Sequence, residues 1–107
     1  MKNYLILLIS ILVFFISCDN ALIKTESDKL NKFFTEEWEY GLENNPESAT
    51  WYGDSRFNNR LNDRSIEKNI LDYEHNIESL KKLVQIKRTQ LNDGDKLNYD
   101  LYKQDLK

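Results

Sequence analysis

One histidine, one cysteine and a few clusters of charge carry whatever chemistry this 107-residue chain has. His75 stands with Asp72, Glu74 and Glu78 around it. A hydrolytic zinc site needs about three protein ligands, typically two histidines a helical turn apart plus a carboxylate. A lone histidine does not meet that requirement, and a solvated helix face is the expected setting for it. As a general base His75 needs a nucleophile or a substrate pocket, and no Ser/His/Asp set can be argued from one histidine. Glu36, Glu37 and Glu39 suggest paired carboxylates for acid/base work. Their position opposite the Phe34/Trp38 stripe of a helix reads instead as a solvated face. Asp54, Arg56, Arg60 and Asp63 form the remaining cluster. Arginine forks pair bidentately with carboxylates, so these residues are expected to lock a loop, or alternatively to hold a substrate carboxylate. With glycines only at 41, 53 and 94 there is no phosphate-cradling loop.

The elements that must position these groups are helical. Residues 1–17 read as a processing segment, with Lys2 as its positive end and the apolar run 4–16, of 13 residues, as its core. That run is short of the roughly 20 residues a membrane-spanning helix needs. Ordinary signal-peptidase cleavage fits badly, because cutting after Ser17 places Phe15 at −3 and cutting after Ala21 places Asp19 there. An uncleaved anchor and a plain secreted protein are the alternatives to the lipoprotein signal discussed below. Residues 18–24 form a tether, and 25–107 a helical unit.

In that unit Thr25 and Asp28 suggest a weak capping box. Leu30, Phe33, Phe34, Trp38 and Leu42 recur at helical spacing to about Glu43. Asn44-Asn45-Pro46 stops this helix. Asn45 as N-cap, Pro46 in first position and Glu47 at the positive dipole end predict a short helix to Tyr52, ended by Gly53 in the left-handed C′ position. Residues 54–64 read as an ordered loop. Ser65 then caps a helix whose apolar residues Ile66, Ile70, Tyr73, Ile77, Leu80, Val84 and Leu91 predict one element of about 27 residues, roughly 40 Å long. That stripe is read as ordinary bundle packing in preference to a coiled-coil seam. Asn92-Asp93-Gly94-Asp95 is expected to break it, and a last helix from about Lys96 carries Leu97, Leu101, Tyr102 and Leu106 on one face. The fold class is all-α: a small helical bundle, about three helices plus one short helix, with the character of a fragment. Its aromatic load exceeds what a chain of this size buries. A formal charge of −3, without a basic stripe, excludes nucleic acid as an expected partner.

Two resemblances add to this reading. Phe15-Ile16-Ser17-Cys18 resembles a bacterial lipoprotein signal, with Phe15 where Leu is usual. It implies that Cys18 receives a diacylglycerol and that the new N-terminus is acylated, a palmitate-type anchor holding the chain at the bacterial cell envelope. Two or more acyl chains anchor stably where one does not. Lipidation of Cys18, the single cysteine, leaves no thiol for a disulfide.

The segments FFTEEWEYGLENNPESATWYGDSRFNNRLND (33–63) and DKLNYDLYKQDL (95–106) resemble the N-terminal part of the bacterial domain-of-unknown-function family 885, whose members look like exported zinc metallopeptidases. The matching positions are Pro46, Glu47, Ala49, Thr50, Gly53, Asp54, Arg56, Leu61 and Asp63, then Leu97, Asn98, Tyr99 and Asp100. The family's His-Glu zinc motif lies far downstream of the matching region, and Glu74-His75 is the reverse order. The resemblance implies a peptidase lineage in which zinc belongs to a missing downstream part. That C-terminal part of the same domain is then the expected partner, alongside the membrane. No catalytic, cofactor-binding or metal residue is expected in this chain. Two other readings are a complete small lipoprotein acting as a surface binding module and an oligomeric coiled-coil spacer.

Overall fold

The computed structural model describes residues 25–107. The expected signal peptide, the lipidated Cys18 and the tether lie outside them. Among the described residues there are four α-helices and no strand, and no helix is long and apolar enough to cross a membrane. Helix α1 covers 25–44, α2 Pro46–Trp51, α3 Ile66–Leu83 and α4 Asp93–Asp105. Single 3₁₀ turns at Ser55–Phe57 and Arg88–Gln90 bend the two longer connections.

The core lies at one end of the bundle. Leu30 and Phe33 of α1 meet Leu83 of α3, Ile86 and Leu91 of the α3–α4 connection, and Tyr99 of α4, with Phe34, Tyr102 and Leu106 packed around them. Phe33, Phe34 and Tyr102 form a triangle of rings with centroids 5.3–5.7 Å apart and steep interplanar angles. This arrangement sets the positive edge of one ring against the negative face of the next.

The helix starts follow local chemistry. Ser65 Oγ accepts from the Lys68 amide at 3.1 Å and Asn92 Oδ1 from the Asp95 amide at 2.9 Å, each satisfying an orphan N–H of a first turn. Helix α4 therefore begins at Asp93, three residues before the expected Lys96, because Asn92 caps a turn that the sequence suggests is a breaker. At α2 the expected cap is replaced. The Asn45 side chain donates back to the Gly41 carbonyl (3.2 Å), and Asn62, 15 residues on, accepts from the Glu47 amide (3.1 Å). Gly53 follows α2 at φ +86°, the left-handed conformation expected of it.

Helix α3 differs most from expectation. It stops at Leu83, giving 18 residues in place of about 27. Past Leu83 the ladder tightens to i→i−3 bonds, from the Gln85 amide to the Lys82 carbonyl (3.2 Å) and from the Ile86 amide to the Leu83 carbonyl (3.0 Å), and Glu26, buried in the first turn of α1, takes the next donor. Its Oε2 accepts from the Lys87 backbone N–H at 2.7 Å, so the helix does not resume there, and Ile86 and Leu91 on either side are buried. The apolar stripe also faces the opposite way from the core: Ile66, Ile70 and Tyr73 are 74%, 54% and 68% exposed. On α4 the inner face is Tyr99, Tyr102 and Leu106, while Leu97 and Leu101 point outward.

Candidate functional site

The face that α3 turns toward α1 carries Lys68, Asp72, His75 and Ser79 at steps of four, three and four. This polar stripe is as regular as the apolar one and lies about 150° around the helix from it, at 100° per residue. Opposite it α1 presents Glu37 and Tyr40, three residues apart and hence on one face. Where they meet, a polar cluster forms. Ser79 Oγ donates to Glu37 Oε1 at 2.8 Å, and His75 Nε2 lies 2.9 Å from Glu37 Oε2 and 3.1 Å from Ser79 Oγ. Tyr102 of α4 donates its hydroxyl to Glu37 Oε2 at 3.1 Å. Three helices thus converge on one carboxylate. The His75 ring stacks flat on Tyr40, with centroids 3.4 Å apart and planes 3° apart. Beyond it Lys68 pairs with Asp72 and lies 5.9 Å over the Tyr40 ring.

This corrects the expectation for two residues. Glu37 is not on a solvated face, since its side chain is 8% exposed, and His75 is half-buried against Tyr40. Glu36 and Glu39 do stay at the surface, paired with Lys32 (3.8 Å) and Arg56 (3.0 Å). The composition of the cluster, serine, histidine and glutamate, invites a nucleophilic reading, and its geometry excludes one. In a working triad the carboxylate holds one imidazole nitrogen while the other takes the serine proton. Here both Glu37 and Ser79 approach the same nitrogen, Nε2, and the serine proton is given to Glu37. Ser79 is fully buried, so no substrate reaches it. Burial beside Glu37 pushes the Tyr102 phenol well above its ordinary value, and burial also raises Tyr40 and Tyr99. The cluster is a clamp between helices. The signal that could have found it is the polar period of α3, which the stronger apolar period hides.

The loop after α2 is a second polar centre. Arg56 binds Asp54 through Nε (2.9 and 3.0 Å) and Nη2 (2.6 Å), and reaches Glu39 on α1 at 3.0 Å. The Arg56 fork holds the Asp54 carboxyl below the usual range, and the two carboxylates raise the guanidinium further. Asp54 also caps the 3₁₀ turn by accepting from the Arg56 amide at 3.0 Å. Arg60 and Asp63 take separate partners. Arg60 donates to the Glu43 carbonyl (2.8 Å) and stacks over Phe57 (4.9 Å), while Asp63 accepts from the Ser65 amide (2.9 Å). Both line a 230 Å³ hollow with Pro46 and Lys68.

The other motif positions also fill structural places. Pro46 is buried at the start of α2 and Tyr99 in the core. Asp100 forms a bidentate pair with Arg88 (2.7 and 2.6 Å), and Asn98 is exposed. Among the described residues no three of His, Cys, Asp and Glu converge on a point where a metal could be held, and the Nε2 of His75 is already engaged. These residues do not fit a zinc site.

No family model, curated protein or solved structure matches the chain.

Proposed function

We propose that the chain is the N-terminal helical portion of an exported, lipid-anchored, metallopeptidase-like protein of the bacterial cell envelope, and that it serves as a packing platform without chemistry of its own. The observation that carries this reading is that large apolar side chains are exposed on every helix at once. Trp38 on α1 packs at a tilt against Tyr52 at the end of α2 (5.1 Å), and Tyr52 edge-to-face against Trp51 (5.0 Å). All three rings stay open to solvent, as do Leu97 and Leu101 on α4. Clusters of exposed large apolar side chains mark surfaces that another body covers. The surface of α1, α2 and α4 takes the downstream, zinc-bearing part of the same domain, while the Cys18 lipid holds the assembly at the membrane. The residues shared with the resembled family, Pro46, Gly53, Asp54, Arg56, Asp63, Asn98, Tyr99 and Asp100, support this as framework positions.

The test is dye binding. The chain produced from residue 19 onward, predominantly helical by circular dichroism, is expected to bind an apolar-surface dye strongly under native conditions. A helical chain that binds no dye would be a self-sufficient module and would overturn the reading.

A further inference from the structure

We propose that the outward stripe of α3 pairs with the same stripe of a second copy of the chain, the two helices running antiparallel. This goes beyond the platform reading and does not depend on the peptidase lineage. Ile66, Ile70, Tyr73, Ile77, Leu80 and Val84 follow steps of four, three, four, three and four, the spacing of a coiled-coil seam. Because α3 docks on α1 through His75 and Ser79, this seam is left on the outside of the bundle. Near its C-terminal end Tyr73, Ile77, Leu80, Val84 and Leu106 line an open groove of about 490 Å³.

Charge selects the partner and the direction. Glu67, Glu74 and Lys81 run along one flank of the seam, and Asn69 and Asn76 along the other. In an antiparallel pair each flank meets its own copy in reverse order, so Glu67 faces the partner's Lys81 twice over, and Asn76 meets the partner's Asn76 near the two-fold axis. The layers are then Ile66 with Val84, Ile70 with Leu80 and Tyr73 with Ile77, an isologous closed contact. A parallel pair would set the acidic flank against the asparagines and form no ion pair. One like-charge contact, Glu74 with the partner's Glu74, lies on the solvated rim against two ion pairs. Among the described residues Lys81 is held only by an exposed 3.6 Å contact to Glu78, which leaves it available for this role. The acidic rim of Glu67, Glu74 and Glu78 disfavours an anionic bilayer as the occupant, since helices that lie on membranes carry Lys and Arg there. The second copy's Ile66 and Ile70 enter the 490 Å³ groove.

The test is cross-linking of the full chain in intact bacterial cells. Asn76→Cys, treated with a short thiol-specific cross-linker, is expected to give a species of twice the mass. The parent chain, whose Cys18 thiol is taken up by the lipid in the reading above on which this control rests, and a second control, Thr89→Cys, placed off the seam, are expected to give none. Adding Ile70→Asp and Ile77→Asp to Asn76→Cys should abolish the doubled species. Both residues lie outside the core, and circular dichroism checks that this variant stays helical. Absence of the doubled species from Asn76→Cys, its persistence with both aspartates, or equal cross-linking of Thr89→Cys would overturn the pairing. A cross-link to a different protein, or burial of the seam in lipid, yields no doubled mass and overturns it too. Sedimentation of the purified chain in detergent gives a second reading: mass should fall by half between the parent and the double-aspartate variant, and equal masses would contradict the proposal.

Discussion

Glu37 on α1 accepts a hydrogen bond from Ser79 on α3 at 2.8 Å, across 42 residues of sequence, and this contact fixes which side of α3 faces the bundle. A buried carboxylate left without donors costs far more than an exposed isoleucine, because its lost hydration is not replaced. With Ser79, His75 and Tyr102 gathered on it, Glu37 outweighs the preference of the α3 stripe for burial. The helix turns its polar side inward and leaves its apolar side to be covered by something else.

That orientation predicts opposite outcomes for two similar substitutions. Leu83→Ala, in the core, should lower unfolding free energy by about 2–5 kcal/mol. Ile70→Ala, on the stripe, should stay within about 0.5 kcal/mol in solution dilute enough to keep the chain monomeric. Urea denaturation of both variants checks the contrast.

Glu26 ties the first turn of α1 to the start of the α3–α4 connection, accepting from Lys29 Nζ at 2.5 Å and from the Lys87 amide at 2.7 Å. These donors hold its carboxyl below the ordinary value of 4.5. A depressed carboxylate contributes stability above the unfolded value and loses it as pH falls through the folded one. Glu26→Gln should cost about 1–3 kcal/mol at neutral pH and flatten the fall in stability below about pH 4.5. Denaturation curves on the acid side would show a parallel, unflattened slope if the contact were idle.

The alkaline side works in the reverse sense. Tyr40, Tyr99 and Tyr102 are raised above the ordinary phenol value of 10.0 by burial, Tyr102 most of all. Stability that depends on the neutral phenols is whole below about pH 10 and is lost as pH rises through their folded values. Unfolding free energy measured from about pH 9 to 11.5 should therefore fall. Tyr102→Phe should remove part of the slope.

Much of this architecture can be read locally. The short α2 follows from Pro46, Glu47 and Gly53, and α3 starts at Ser65 because a serine before an isoleucine-rich period is a local signal. The existence of four helices is equally a matter of period and punctuation. What cannot be read locally is decided by residues far apart. Helix α3 does not resume past Leu83, where Glu26, 61 residues upstream, takes the Lys87 amide. Its inner face is polar because Glu37 waits on α1. The apolar period of α3 is legible, but a period states only that a stripe exists, and not what covers it. The Glu37 clamp is hidden for the same reason: each member reads as a surface residue until the helices are placed.

Gly53 gives a sharp backbone test. Its φ of +86° is open to glycine, and an added Cβ meets no neighbour within 4 Å, so any penalty is conformational rather than steric crowding by other residues. Gly53→Val should cost about 1–2 kcal/mol or more and lower the melting temperature. A variant that melts with the parent would show that the α2 exit has another conformation.

The central claim, that α3 packs through its polar face, is tested most directly by a double-mutant cycle on Glu37→Gln and Ser79→Ala, read by urea denaturation. If the two side chains meet in the buried cluster, the coupling energy should be about 1–3 kcal/mol. A coupling indistinguishable from zero would mean that α3 is rotated, with Ile70 and Tyr73 inside and Glu37 in solvent, and would contradict the account.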